Sequence, residues 1–228
     1  MKMNVPTLVS LLAFSPIFAL IIASSSASHL ERRKDKHPLN HFYTMKQQID
    51  YSEGPLKIYA ADGTVAYRFA KVSFDSSDQG LSTTELQTDS SKVVLTLQST
   101  NDLCAQKTTY EEPKSPRSRT RRVEIYPRGM LKDVWRLNYV DDSGVRHNFK
   151  FKRGFADRGG RIYTQVNGHD GELIAELKNE KRKDSWLTQG SKSKEVRVLT
   201  LSCTEDSPRE QLIAFMALVL SRVDRCGF

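Results

Sequence analysis

Apolar and polar residues alternate with period two through most of the middle of the chain, the pattern of strands with one buried face. Leu56 and Ile58 are followed by Thr64–Val72 (TVAYRFAKV), and Ala61-Asp62-Gly63 sits between them as a hairpin turn. The same unit returns twice. Val134–Val140 (VWRLNYV) turns at Asp141-Asp142-Ser143-Gly144 into Val145–Lys152 (VRHNFKFK), and Arg161–Val166 turns at Gly168-His169-Asp170-Gly171 into Glu172–Leu177. Further strands are expected at Leu81–Thr88, Lys92–Ser99, Arg122–Tyr126 and Glu195–Cys203, which brings the estimate to about ten to twelve. So many strands exceed the usual open sheet and predict a barrel or sandwich.

The alternation stops near the C-terminus. Ser207 and Pro208 read as an N-cap and a first helical residue, Glu210 lies in the first turn, and Leu212–Leu220 (LIAFMALVL) has no polar residue. A helix apolar on every side must be enclosed on every side, and this one is too short to cross a bilayer. A helix over about 208–223, threaded through a closed antiparallel β-barrel of about twelve strands, meets both conditions. Its polar end, with Ser221, Arg222, Asp224 and Arg225, is then expected to emerge into solvent.

A different apolar run opens the chain. Val5–Ala23 carries no charge over nineteen residues, with Pro16 inside it, long enough to span a bilayer. Two readings stand. The small residues Ser24–Ser28 (SSSAS) after it, with Lys2 before it, suit a signal peptide cleaved near residue 28. Arg32, Arg33, Lys34 and Lys36 after it suit a retained anchor with the domain on the cytosolic side. The organisation expected is therefore 1–28 signal peptide or anchor, 29–41 charged linker interrupted by Pro38, and 42–228 one barrel domain.

Charge narrows the partners. The chain has 228 residues, a net charge of +8 and a pI near 9.4, a bias toward anionic surfaces such as phospholipid membranes. Lys150, Lys152, Arg153, Arg158 and Arg161 cluster around an expected hairpin tip that holds Gly154, Gly159 and Gly160. Lys150 and Lys152 fall on one strand face, and lysine and arginine together suit phosphate groups. A second basic stretch, Arg117, Arg119, Arg121 and Arg122, lies in an expected loop from Asn101 to Arg122, where phosphorylation of Ser115 or Ser118 would offset the arginines. A third is Lys178, Lys181, Arg182 and Lys183, diluted by Glu180 and Asp184. Few aromatic residues interleave with these runs, so nucleic acid ranks below membrane or protein partners.

Catalytic and metal signals are sparse. No phosphate loop, Rossmann glycine pattern, HExxH or G-x-S-x-G occurs, so neither an enzyme nor a cofactor is expected. His37 and His41 have metal-compatible spacing but flank Pro38, and Asp141, Asp142 and Asp170 read as turn residues rather than calcium ligands. His147 and His169 lack a recognisable nucleophile partner. Of Cys104, Cys203 and Cys226, two at most can pair, and Cys203 in its apolar run reads as a core residue.

Strand, Asp-Gly turn, strand units followed by an all-round apolar helix, with segments such as LKIYAADGTVAYRF and LIAFMALVLSRV, resemble the tubby C-terminal-like superfamily of tubby proteins, phospholipid scramblases and LURP-one-related proteins. The resemblance covers about Phe42 to Phe228. It implies a twelve-stranded barrel around a central helix and, from tubby, phosphoinositide binding by surface basic residues. The functional expectation is a membrane-associated protein that binds anionic lipid without catalysis. The alternative is a secreted or lumenal barrel that binds an extracellular ligand after signal-peptide removal.

Overall fold

The computed structural model describes residues 37–74, 80–114, 120–128, 131–154, 158–189 and 194–227. The N-terminal apolar segment, most of the charged linker and residues 115–119 with Arg117 and Arg119 lie outside the described residues. Twelve strands follow one another: β1 (His41–Lys46), β2 (Leu56–Ala60), β3 (Val65–Phe74), β4 (Leu81–Thr88), β5 (Val93–Ser99), β6 (Thr108–Glu111), β7 (Arg122–Arg128), β8 (Leu131–Val140), β9 (Arg146–Arg153), β10 (Gly160–Val166), β11 (His169–Arg182) and β12 (Val196–Cys203). Between β11 and β12 lies a single helical turn, α1 (Ser185–Thr188), and the chain continues into α2 (Arg209–Cys226).

Each strand pairs antiparallel with the next, and β12 pairs with β1, where His41 faces Cys203 and Lys46 faces Val198. Closure leaves no sheet edge. A barrel of this strand number is wide enough to hold more than its own side chains, and α2 fills it. Gln211 through Val223 are all buried. Inward positions such as Ile58, Phe69, Leu97, Ile125, Trp135, Phe151, Ile162 and Leu201 form one core with the helix. Phe215 lies at its middle, with the Trp135 and Phe151 rings edge-on at 5.4 and 5.2 Å.

Four local expectations need correction. The loop predicted from Asn101 to Arg122 contains β6, whose Thr108 and Tyr110 point inward while Thr109 and Glu111 point out. The last hairpin turns at Asn167-Gly168, both with positive φ, so His169 and Asp170 belong to β11. Ser207 does not cap α2. Its hydroxyl donates to the Thr204 carbonyl at 2.7 Å, and no side chain caps the helix. Finally, Ser221 and Arg222 do not emerge into solvent.

Arg222 is 3% exposed and belongs to a buried network at the C-terminal end of α2. It donates to Thr108 Oγ1 at 2.9 Å and to the Cys104 carbonyl at 3.0 Å, and lies 3.5 Å from Asp102. Asp102 also receives Lys71 at 2.8 Å and Arg225 at 3.4 Å. Burial works against the Asp102 charge, yet the Lys71 ammonium together with hydrogen bonds from Lys71, Tyr110 and Ser82 outweighs it and holds the carboxyl below its ordinary range. Burial likewise pushes the Lys71 ammonium down, and Asp102 offsets only part of that. Beside this network Cys104 and Cys226 form a disulfide, which ties the end of the helix to the barrel. Cys203 is free and fully buried, as its apolar surroundings predict.

Candidate functional site

Strand alternation decides which basic side chains share a surface. On β9, Phe149 and Phe151 are buried while Lys150 and Lys152 face out. Arg153 has the parity of the two phenylalanines and so leaves the set. Register then adds neighbours. Lys150 stands between Arg136 of β8 and Tyr163 of β10, and Lys152 stands beside Arg161. The outward face of β8–β10 therefore gathers Arg136, Lys150, Lys152 and Arg161. Arg158 turns elsewhere and donates to Gln47 Oε1 at 3.3 Å. Arg136 was not among the sequence candidates, because only the pairing of β8 with β9 brings it next to Lys150.

The four cations are not equally available. Lys152 pairs with Asp170 and lies 5.6 Å from the Tyr163 ring centre, while Arg161 Nε donates to Glu176 at 3.1 Å. These contacts hold the Asp170 carboxyl below its usual range and push the Arg161 guanidinium up. Arg136 is exposed and stacks at 5.3 Å on Tyr126. Lys150 has no hydrogen bond or ion pair among the described residues. Next to this face lies an open groove of about 490 Å³, lined by Lys152, Arg161, Tyr163, Glu176, Lys178 and the glycines of the β9–β10 connection. Its floor needs Gly160. A Cβ there would run into the Lys152 carbonyl oxygen and the Phe151 ring.

Among the described residues of the other basic stretches, Arg121, Arg122, Lys178, Lys181 and Arg182 are committed locally. Arg121 and Arg122 at the start of β7 reach Glu112 at 3.6 Å, Glu111 at 3.2 Å and Glu124 at 3.0 Å, clasping β6 to β7. Lys178 pairs with Glu176, Lys181 with Glu195, and Arg182 forms a two-pronged contact with Asp184 at 2.7 and 3.0 Å. Arg182 also lies 5.6 Å from Trp186 of α1, whose ring covers Gly63 and packs 5.0 Å from Tyr59.

The histidines and turn aspartates read as structural parts. His37 lies 3.5 Å from Glu172 and His41 2.5 Å from Glu205. Asp141 accepts from the Ser143 and Val145 amides, the Ser143 hydroxyl and His147 Nε2, so it closes its own turn, and these contacts hold its carboxyl far below the usual range. No group of three or more His, Cys, Asp or Glu suited to a metal ion exists among the described residues. Among those same residues no helix is long and apolar enough to cross a membrane.

Comparison with known proteins adds no further constraint: no family model, curated protein or solved structure matches the chain.

Proposed function

We propose that this protein is a non-catalytic binding domain of tubby C-terminal-like type, which docks on an anionic phosphate-bearing surface of phospholipid headgroups through the outer face of β8–β10. The observation that carries this reading is the register that sets Arg136, Lys150, Lys152 and Arg161 side by side on three adjacent strands. Each such residue near an anionic membrane contributes about 1 kcal/mol, so four supply at most about 4 kcal/mol, a millimolar affinity. The prior pairing of Lys152 and Arg161 lowers that figure. Attachment of this strength holds a protein already brought to the surface and does not recruit it alone.

The test is co-sedimentation of the full chain with phosphatidylcholine vesicles, with and without phosphatidylserine or a phosphoinositide. Binding that needs the anionic lipid and is lost in the Arg136→Glu, Lys150→Glu double variant supports the reading. Equal binding to neutral vesicles, or no change in the variant, refutes it.

The Cys104–Cys226 disulfide favours a lumenal or secreted location, since such bonds persist in oxidising compartments and are rare in the cytosol. On this second reading the N-terminal segment is a signal peptide and the ligand is extracellular. Expression with microsomes separates the two. A product shortened by about 28 residues and protected from protease, as expected of a cleaved signal peptide, places the domain in the lumen. A full-length, digestible product places it in the cytosol.

A further inference from the structure

The disulfide lies where positive charge is in excess. Lys71 of β3 and Arg222 and Arg225 of α2 converge on Asp102, and no other carboxylate pairs with them among the described residues. Three cations therefore share one anion, and two of them, Lys71 and Arg222, are buried. Burial pushes the Lys71 ammonium down, and Arg225 and Arg222 push it further. Tyr110 of β6 also faces Asp102, but it holds its proton and brings no charge. Lys107 is paired with Glu124, and Asp224 is exposed and acts on Tyr51.

Arg222 shows what is missing. It is 3% exposed, and its two terminal nitrogens have acceptors, yet its Nε is buried with none. An unpaired buried donor in an over-cationic cluster is costly and calls for an anion. The bridge can supply one. The Arg222 guanidinium donates to the Cys104 carbonyl at 3.0 Å, and Cys226 follows Arg222 by four residues, one turn along the same face of α2. A disulfide carries no charge, whereas a thiolate does, and neighbouring arginines lower the pKa of a thiol. The carbonyls of the last helical turn oppose a thiolate there, but the Gly227 amide takes up that of Val223 at 2.9 Å.

The two halves of the bridge differ in access. Cys104 is exposed on the β5–β6 connection and Cys226 is half-buried. Arg225, 42% exposed, gives the entrance a positive field that draws an anionic thiol. We infer that Cys104–Cys226 is a thiol-exchanging redox site, which a small anionic thiol of the glutathione class opens at Cys104 while Cys226 leaves as a thiolate facing Arg222 and Arg225. The incoming thiolate bonds to the Cys104 sulfur as the bond to Cys226 breaks, and Cys226 takes the electron pair. A second small thiolate then attacks the outer sulfur, which gives the oxidised small-molecule dimer and frees Cys104. Two electrons thus pass from two small thiols to the protein, and in an oxidising compartment the steps run backwards. Stabilising the leaving thiolate speeds the opening and shifts the equilibrium toward the reduced form.

The test is the full chain equilibrated in mixtures of reduced and oxidised glutathione, quenched by alkylation and read by peptide mass. The expected intermediate is a glutathione adduct on Cys104. In the reduced, folded protein the pH profile of Cys226 alkylation should lie about one unit below that of an ordinary thiol. Arg225→Gln should move that profile back and require a several-fold higher ratio of reduced to oxidised glutathione for half-reduction. Arg225→Lys, which keeps the charge, should stay with the parent. A merely structural role for Arg225 would not move the pH profile, and Lys150→Glu on the outer basic face should change nothing. An ordinary Cys226 profile in the parent, an adduct confined to Cys226, equal half-reduction of the parent and Arg225→Gln, or unfolding of the chain on reduction would each overturn the inference.

Discussion

Asp102→Asn removes the carboxylate that faces Lys71, Arg222 and Arg225 at the C-terminal end of α2. Asp102 is 1% exposed, and the Lys71 and Arg222 side chains are 8% and 4% exposed, so the cations left behind have little access to water. Breaking a buried pair by removing one partner costs about 3–5 kcal/mol, and asparagine, which still offers an acceptor oxygen, places the loss near the lower end. For a domain of this size each kcal/mol moves the melting temperature by about 2–4 °C, which predicts a fall of roughly 6–12 °C. Urea unfolding should show a lower midpoint with an unchanged slope. Adding Lys71→Met should recover part of the loss, because the double variant no longer buries an unpaired ammonium. A single variant within about 1 kcal/mol of the parent, below the cost of any broken buried pair, would refute the reasoning. So would strictly additive effects of the two substitutions.

Further outcomes follow for the cysteines and for the pH dependence of stability. Reduction of the Cys104–Cys226 bond, which closes a loop of 122 residues, should cost about 2–5 kcal/mol. Alkylation should label no thiol in the native protein, Cys203 alone after unfolding, and all three cysteines after reduction. Labelling of native Cys203 would contradict its burial. The pH dependence should have two limbs. The folded pKa of Asp102 is depressed, so its stabilisation is present at neutral pH and lost as pH falls through and below the ordinary aspartate range. Burial and the Asp102 charge push the Tyr110 phenol well above its ordinary value, so the folded state holds that proton longer and stability falls as pH rises above the ordinary tyrosine range. Urea midpoints across pH check both limbs, and Asp102→Asn should flatten the acid one. An acid limb as steep as the parent's would refute that assignment.

Much of the architecture was legible because its signals are local. The sequence marked β4 residue by residue, β9 to within one residue at each end and β3 to within two, whereas β8 begins at Leu131, ahead of the expected Val134, and an apolar run with no polar face left α2 only the inside of a closed barrel. β6 escaped notice because Thr-Thr-Tyr-Glu shows two inward residues among polar neighbours, too short for periodicity to register. Near the last hairpin two turn signals compete, Asn167-Gly168 and Asp170-Gly171 three residues later, and the chain turns at Asn-Gly, the stronger signal for a two-residue turn. Arg222 looked like a solvated end because its partner Asp102 lies far back in the chain, and no local pattern links them. Candidate-site residues divide along the same line. Parity alone put Lys150 and Lys152 on one face, whereas Arg136, and the carboxylates that hold Lys152 and Arg161, enter only through cross-strand register.

The position of α2 orders the birth of the fold. All twelve strands leave the ribosome before the segment they enclose, and until it arrives their inward faces have only one another to pack against. Locally paired hairpins can form during synthesis, but the barrel cannot complete its interior until Phe215 and its neighbours are inserted. A chain cut short before α2 therefore lacks the centre of its core, and an incomplete product exposes apolar strands to aggregation and proteolysis. Completion of α2 is thus, for this molecule, a condition for having a tertiary structure.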